Sequence, residues 1–333
     1  MQTRKATAVS CSNIAFIKYW GNYDARLRLP LNDSISMNLD ALRTETTVEF
    51  DDALENDEIV IGEQSADERT ERRVVEQLNR IRAEAKIDTK ARVHSRNNFP
   101  SAVGLASSAS AFAALTLAGT RAAGLELGER ALSILARQGS GSAARSIPAG
   151  FVEWLAATNV TSISSQSYAH QVMPPDAWDL CDVIAIVSSE AKKVGSNEGH
   201  SIAHTSPFFG ERLSRLPNRY HRVRRELLAK NLKGMGPDVE TEAIELHAIA
   251  MTSRPPIFYW LPGTIRVMDA VRQWRGAGLS AYYTLDAGPN VHILVEGKDS
   301  AEVAKRVREL ADVQDVIISG PGEGARLSEE HLF

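Results

Sequence analysis

The sequence predicts an α+β fold in two parts, and three observations carry that prediction. Short β-branched and apolar segments alternate with amphipathic helices through the first half. The C-terminal stretch reads as strand, turn, strand, helix, strand, a pattern that builds a sheet with helices on one face. Finally, 333 residues are more than a single hydrophobic core usually organises.

Taken in order, strands are expected at Thr7–Ile17, Thr46–Phe50, Ala91–Arg96 and Thr161–Gln171. Val74, Leu78 and Ile81 recur at helical spacing and predict a helix over Asp67–Ala85. A small-residue helix is expected from Ser107 to Ala123, and another over Gly128–Gln138 that stops at Gly139. Pro174, Pro175 and Trp178 break the pattern and place a seam, giving parts 1–175 and 176–333. Beyond it come a buried-type strand (Asp182–Ser188) and helices over Phe208–Lys230, Asp238–Met251 and Pro262–Arg275. The terminal unit is strand Leu279–Leu285, strand Asn290–Val295, helix Ser300–Ala311 and strand Val316–Ser319.

Hydrophobic residues make up 43% and charged ones 24%, the balance of an ordinary globular protein. A formal net charge of -4 argues against nucleic acid as the main ligand, because a phosphate backbone needs a basic face. A small anionic substrate needs only a local cation cluster. Two cysteines, Cys11 and Cys181, cannot make a disulfide framework and point to the reducing cytoplasm. The N-terminus lacks a secretory apolar core and no apolar run has bilayer length, so no membrane association is expected.

One loop carries chemistry. Asn97-Asn-Phe-Pro-Ser-Ala-Val-Gly-Leu-Ala-Ser-Ser-Ala-Ser110 follows a strand and opens a helix. Gly104 and its small neighbours allow close backbone approach. Ser107 and Ser108 stand where a first helical turn offers free N–H groups and a positive dipole end. An N-capped helix packed tightly on a sheet would use the same residues. The Gly-Lys-Ser/Thr ending of the Walker loop is absent.

Pro100-Ser-Ala-Val-Gly-Leu-Ala-Ser-Ser-Ala resembles the phosphate loop of the small-molecule kinases that include galactokinase, homoserine kinase and mevalonate kinase, the GHMP kinases. Further segments resemble the diphosphomevalonate decarboxylase branch. They are Ser12-Asn-Ile-Ala-Phe-Ile-Lys-Tyr-Trp-Gly21, Leu29-Pro-Leu-Asn-Asp-Ser34, Gly139-Ser-Gly-Ser-Ala-Ala-Arg-Ser146, Gly150-Phe-Val-Glu-Trp154, Pro255-Pro-Ile-Phe-Tyr259 and Leu285-Asp-Ala-Gly-Pro-Asn290. They run in family order from residue 12 to about residue 290. The resemblance implies a GHMP-kinase fold, with an ATP-binding, ribosomal-protein-S5-domain-2-like N-terminal part and a ferredoxin-like C-terminal part. It also implies a homodimer, a phosphorylated mevalonate as substrate, ATP as phosphoryl donor and Mg²⁺ held through ATP.

Residue by residue, the resemblance makes Asp286 the group that deprotonates or orients the C3 hydroxyl, with Lys18 beside it and the reacting phosphate. On its own, Asp286 reads first as a turn aspartate capping its own backbone, and Lys18 either as a solvated edge lysine or as a buried cation that needs an anionic partner. Arg145 is implied to hold the C1 carboxylate with Asn13 assisting. Ser140, Gly141, Ser142 and Tyr19 are implied at the phosphorylated C5 end. Gly104, Leu105, Ala106, Ser107 and Ser108 are implied along the ATP phosphates, with Arg69 nearby and Ser108 a candidate Mg²⁺ ligand. His247 reads as a satisfied core histidine. No Cys/His cluster has zinc-ligand spacing.

Two positions depart from the family pattern. The usual lysine after Lys-Tyr-Trp-Gly is Asn22, and in Val194-Gly-Ser-Asn-Glu-Gly-His200 an arginine found in some members after the serine Ser196 is Asn197. Both departures remove a cation where a β-phosphate would lie, unless Lys192, Lys193 or Arg72 replaces it. Each charge-assisted hydrogen bond contributes about 1.5–3 kcal/mol, so the expected substrate is mevalonate 5-phosphate and the product isopentenyl phosphate. The alternatives are 5-diphosphate decarboxylation, a 3-kinase that stops before decarboxylation, and a nucleotide-binding regulatory protein with an inactive site.

Overall fold

The structure, a computed structural model, describes residues 5–99, 105–156, 163–190 and 194–333. Its spine is a long antiparallel pair. Strand β1 (Lys5–Ile17) runs beside β4 (Ser34–Phe50) from Lys5 opposite Glu49 to Ile17 opposite Ile35, with irregularities at Cys11/Ser12 and Ala15/Ile17. The expectation began β4 at Thr46, but the strand starts at Ser34. Its first half alternates Ser34, Ser36 and Asn38 with Ile35, Met37 and Leu39, and both sets are buried. Two of the polar set are bonded internally, with Asn38 donating to the Pro148 carbonyl at 2.7 Å and Ser34 Oγ accepting from Arg145 at 2.8 Å, while Ser36 Oγ has no partner among the described residues. A strand covered on both faces gives no inside–outside contrast to read.

The rest of this sheet follows from β1 and β4. A small hairpin, β2 (Asn22–Asp24) and β3 (Leu29–Pro30), fills the connection between them. β7 (Ala91–Asn97) pairs with β4, β5 (Glu58–Ile61) lies parallel to β7, and β6 (Gln64–Ser65) closes that edge. β8 (Phe151–Trp154) and β9 (Ala169–Met173) extend from the other end of β4. Of the strand expected over Thr161–Gln171, only Ala169 onward is extended. Ile163–Gln166 is a short helix, α4, and 161–162 lie outside the described residues. The buried Arg137 takes the Ser164 carbonyl at 3.0 Å and also the Ser167 carbonyl, which holds this segment off the ladder. The last strand, β14 (Arg326–Ser328), returns to pair with β1.

Helices α1 (Glu68–Ala85), α2 (Ser107–Ala122) and α3 (Glu129–Gly139) cover one face. Val74, Leu78 and Ile81 of α1 are buried, as their spacing predicted. The second sheet, in order β11 (Tyr282–Thr284), β12 (Val291–Glu296), β10 (Leu180–Ile186), β13 (Asp315–Ser319), carries α8 (Pro262–Gly276) and α9 (Gly297–Arg308). Val183, Val271 and Val303 share that core. α5 (Ser196–Ile202) is short, and α6 (Phe209–Leu228) and α7 (Leu232–Thr252) pack together. α7 begins six residues before the expected Asp238, because Asn231 accepts from Gly234 N–H at 3.1 Å and caps a first turn that Pro237 does not break. A shared core of Ile14 and Phe16 with Leu216, Val239 and Ile184 joins the two sheets through α6 and α7. No described helix is long and apolar enough to cross a membrane.

Candidate active site

The cleft forms where the end of β1 meets the turn after β11. Lys18, the residue after β1, is buried, and its Nζ donates to Asp286 Oδ1 at 2.8 Å and to the Ala15 carbonyl at 2.6 Å. The bulge at Ala15 turns that carbonyl inward. The main chain of Lys18 is gripped as well. Its N–H donates to Glu242 Oε2 at 3.0 Å, and its carbonyl accepts from Arg212 Nη2 at 2.9 Å and Asn32 Nδ2 at 3.0 Å. Arg212 and Glu242 form a fully buried ion pair at 2.8 Å, so one charge network from α6 and α7 fixes both sides of this peptide. A solvated edge lysine is thereby overturned.

Asp286 sits in the turn that Gly288 N–H closes on the Asp286 carbonyl at 2.7 Å. His247 Nε2 lies 3.1 Å from the same carbonyl, behind the cleft, which matches its reading as a core histidine. Burial pushes the Asp286 carboxyl up, but the Lys18 ammonium, with His292 and Arg145 further off, holds it below the usual carboxylate range. Burial pushes the Lys18 ammonium down, against the opposing pull of Asp286.

Arg145 lies across the cleft in the 3-10 turn Gly141–Ser146, buried against the Trp154 ring at 5.7 Å. Burial pushes its guanidinium down to about 10. Nε and Nη2 donate to Asn13 Oδ1 at 3.3 and 3.2 Å, and Nη1 donates to Ser34 Oγ at 2.8 Å. A guanidinium has five N–H groups. The two that remain without a partner among the described residues are one on each terminal nitrogen, a pair suited to one carboxylate. Asn13 is therefore behind Arg145 and not on the cleft wall; its own Nδ2 is spent on Ser146 Oγ at 2.8 Å and the Ser142 carbonyl at 3.2 Å.

The cleft, of about 350 Å³, is lined by Lys18, Tyr19, Asp286 and Arg145, by Ser140, Gly141, Ser142, Ser196 and Asn197, and by Arg69, Ala106, Ser107 and Ser108. Gly141 permits the close approach expected of its loop, since a Cβ there would lie 2.5 Å from the Tyr19 ring. α2 starts from Ala106 in the left-handed region (φ 49°) with no side-chain cap. Ala106, Ser107 and Ser108 line the cleft, so the positive dipole end of this helix faces the space a phosphate would occupy. Ser108 Oγ lies 3.2 Å from Ser140 Oγ, linking that helix start to the 140–142 loop.

Two further expected contacts are placed elsewhere. Leu105 is in the core, its carbonyl accepting from Ser12 Oγ at 2.6 Å. Asn22 lies off the wall, its Oδ1 taking the Tyr19 hydroxyl. Gly104 lies outside the described residues, as do Lys192 and Lys193. The reading missed Arg73 and His200, both on the wall. Arg73 falls four residues after Arg69 on α1, the same-face spacing that was the available signal. Burial, then Arg28 and Arg69, pushes its guanidinium down to about 10. His200 Nδ1 accepts from Gly21 N–H at 3.0 Å and its ring lies tilted against Tyr19 with centroids 4.0 Å apart, a contact no local pattern announces.

Comparison with known proteins fits this geometry along almost the whole chain. The sequence model of the diphosphomevalonate decarboxylase-like N-terminal domain matches residues 10–169, and that of the mevalonate 5-diphosphate decarboxylase C-terminal domain matches 182–324. The diphosphomevalonate decarboxylase mvd1 of Aspergillus fumigatus is 34% identical over 95% of this chain and 83% of its own. The phosphomevalonate decarboxylase of Haloferax volcanii is 31% identical over 96% and 97%. The mevalonate diphosphate decarboxylase of Enterococcus faecalis, solved in a study of mevalonate diphosphate mediated ATP binding, is 35% identical. It superposes with a TM-score of 0.90 over 98% of this chain and 99% of its own. The GHMP-kinase fold, the cleft that joins its two sheets, and matches reaching from residue 10 to 324 establish that the chain belongs to the mevalonate diphosphate decarboxylase family.

Proposed function

We propose that the chain decarboxylates mevalonate 5-phosphate at the expense of ATP, giving isopentenyl phosphate, ADP, phosphate and CO₂. The observation that carries the chemistry is the Lys18–Asp286 pair facing, across one cleft, the two Arg145 N–H groups that have no partner among the described residues. Asp286 orients the C3 hydroxyl and accepts its proton as the oxygen attacks the terminal phosphoryl group. In a loose phosphoryl transition state the proton leaves late, so a carboxylate of low basicity suffices and positioning does most of the work. Lys18 offsets the charge on the transferring group. The C3–O bond then breaks, phosphate leaves with its electron pair, and the C1–C2 electrons form the new alkene as CO₂ departs. Arg145 holds the C1 carboxylate in line for that step.

The start of α2 and Ser108 would hold ATP phosphates and their Mg²⁺, which would supply neutralisation of phosphate charge. The two free cysteines, one buried and one half-buried, suit a reducing compartment.

The monophosphate reading rests on the amides. Asn22 and Asn197 are neutral, and both amide oxygens are already occupied, by Tyr19 and by Arg28. The Haloferax relative is named a phosphomevalonate decarboxylase. A second reading, the 5-diphosphate, is favoured by Arg69 and Arg73 on the cleft wall and by the names of the other relatives. Steady-state kcat/KM for both esters under identical conditions decides between them. A higher value for the monophosphate supports the proposal, and a higher value for the diphosphate overturns it.

A further inference from the structure

Arg28 lies in the β2–β3 hairpin with a positive φ of 50°, a conformation that costs a non-glycine residue free energy and so requires compensation from its surroundings. The compensation is visible. Its Nε donates to the Gln138 carbonyl at 3.0 Å and its Nη1 donates to Asn197 Oδ1 at 2.9 Å. The side chain thus spans from the hairpin to the end of α3 and to the start of α5. Asn197 is on the cleft wall and Arg28 is not. Burial lowers the Arg73 and Arg80 guanidiniums, and Arg28 lies close enough to add to the lowering of both.

A guanidinium has only donors, so the Asn197 atom it touches must be the amide oxygen. That fixes which way the amide faces. The Nδ2 group is left with no partner among the described residues and is the branch available to the cleft. A freely rotating amide would offer a phosphate its oxygen as readily as its N–H groups. This one cannot.

We propose that Arg28 is a positioning residue for substrate selection: it locks the Asn197 amide with its donors toward the C5 phosphate. It thereby places a positive charge one side chain behind the cleft wall instead of in contact with ligand. Binding of a monophosphate is then supported by two oriented N–H groups, polarised by the cation behind them. The amide that meets ligand is itself neutral, so this position offers no contacting cation to pair with a second phosphate. This inference rests on the monophosphate reading for its second half only. The locking of Asn197 holds for either ester.

The test is a double-mutant cycle on purified enzyme, with kcat and KM measured for mevalonate 5-phosphate, the 5-diphosphate and ATP. Arg28→Met is expected to raise KM for the monophosphate about tenfold or more, the weight of one charge-assisted hydrogen bond, with KM for ATP within about twofold. Asn197→Ala should raise it similarly, and Arg28→Met added to Asn197→Ala should add little, because the arginine acts through the amide. Arg28→Lys should recover part of the loss. Fully additive single effects, or an unchanged phosphate KM in a folded Arg28→Met protein, would overturn the proposal. Should Arg28→Met fold poorly, Asn197→Asp keeps the Arg28 contact and turns a carboxylate oxygen toward the phosphate. KM should then rise steeply, and an unchanged KM overturns the proposal. A wild-type preference for the diphosphate refutes the monophosphate reading, whereas the Arg28–Asn197 coupling is scored separately on whichever ester the enzyme prefers.

Discussion

Lys18 Nζ and Asp286 Oδ1 lie 2.8 Å apart, yet the lysine side chain is 1% exposed and the aspartate 23%. The pair is therefore polarised in role. The cation is a fixed part of the wall, and the carboxylate is the member that meets substrate. Asp286→Asn keeps a hydrogen-bond acceptor for Nζ but removes the proton acceptor. We predict that turnover falls about 10²–10⁴-fold while ATP still binds. Near-normal kcat in a folded variant would show that Asp286 only shapes the turn.

The pH profile follows from the same pair. Lys18 holds Asp286 below the ordinary carboxylate range, so Asp286 is already ionised above about pH 3.9 and cannot set an acid limb near neutrality. The second ionisation of a phosphate monoester lies near 6. The acid limb of kcat/KM is therefore predicted to coincide with the phosphorus NMR titration of the free substrate. On the alkaline side, burial lowers Lys18, so activity should fall at lower pH than the roughly 10.4 of a free lysine. An acid limb that moves in Asp286→Glu would contradict this assignment.

Glu242 is where position and stability meet. Burial pushes its carboxyl up, but Arg212, the Lys18 N–H and Arg219 outweigh burial and bring it below its ordinary value. A lowered folded-state pKa gives stability that is present above the unfolded value of about 4.3 and is lost as pH falls through the folded one. Glu242→Gln leaves the buried Arg212 without its counter-charge, and loss of one partner of such a pair costs about 3–5 kcal/mol. Thermal unfolding should show a large drop in Tm at pH 7 that narrows toward acid. Any folded fraction should show reduced kcat with ATP affinity retained, because the Lys18 peptide loses an anchor.

Arg145→Lys preserves charge and removes the paired donors. Nε and Nη2 both hold Asn13, so lysine loses the anchoring contact along with the fork that faces substrate. Turnover is predicted to fall by at least about a hundredfold, since a misplaced clamp alone costs that much. Release of CO₂ should suffer at least as much as release of ADP. Equal, small losses in both would assign Arg145 to structure.

How much of this was legible in the sequence depended on whether a signal was local. α1 was readable because Val74, Leu78 and Ile81 face one way, and the 139–146 loop through its resemblance to the family's substrate loop. The N-terminal half of β4 was not, because both of its faces are buried. Lys18 stood out as a charge among apolar residues, but the network that holds it comes from Arg212 and Glu242, far away in sequence. Arg28 was invisible for the same reason: an arginine in a polar hairpin reads as solvated until Asn197 is brought beside it. Asn22 and Asn197 were noticed only as missing cations, and their hydrogen-bonded orientations belong to the folded state.

That orientation alters the obvious specificity switch. Restoring both cations, Asn22→Lys with Asn197→Arg, addresses the two positions where charge is lost. In the structure, however, Arg28 Nη1 sits 2.9 Å from Asn197 Oδ1. An arginine at that position would meet a guanidinium with no acceptor to offer it, and like charges in a partly dehydrated site repel. The double change is therefore predicted to weaken both esters. Adding Arg28→Leu relieves the repulsion, and the triple variant is predicted to shift the kcat/KM ratio toward the diphosphate by about tenfold or more, the worth of one recovered charge-assisted bond. If the double variant alone shifts the ratio as far as the triple, Arg28 does not oppose a cation at 197 and the two side chains are not coupled.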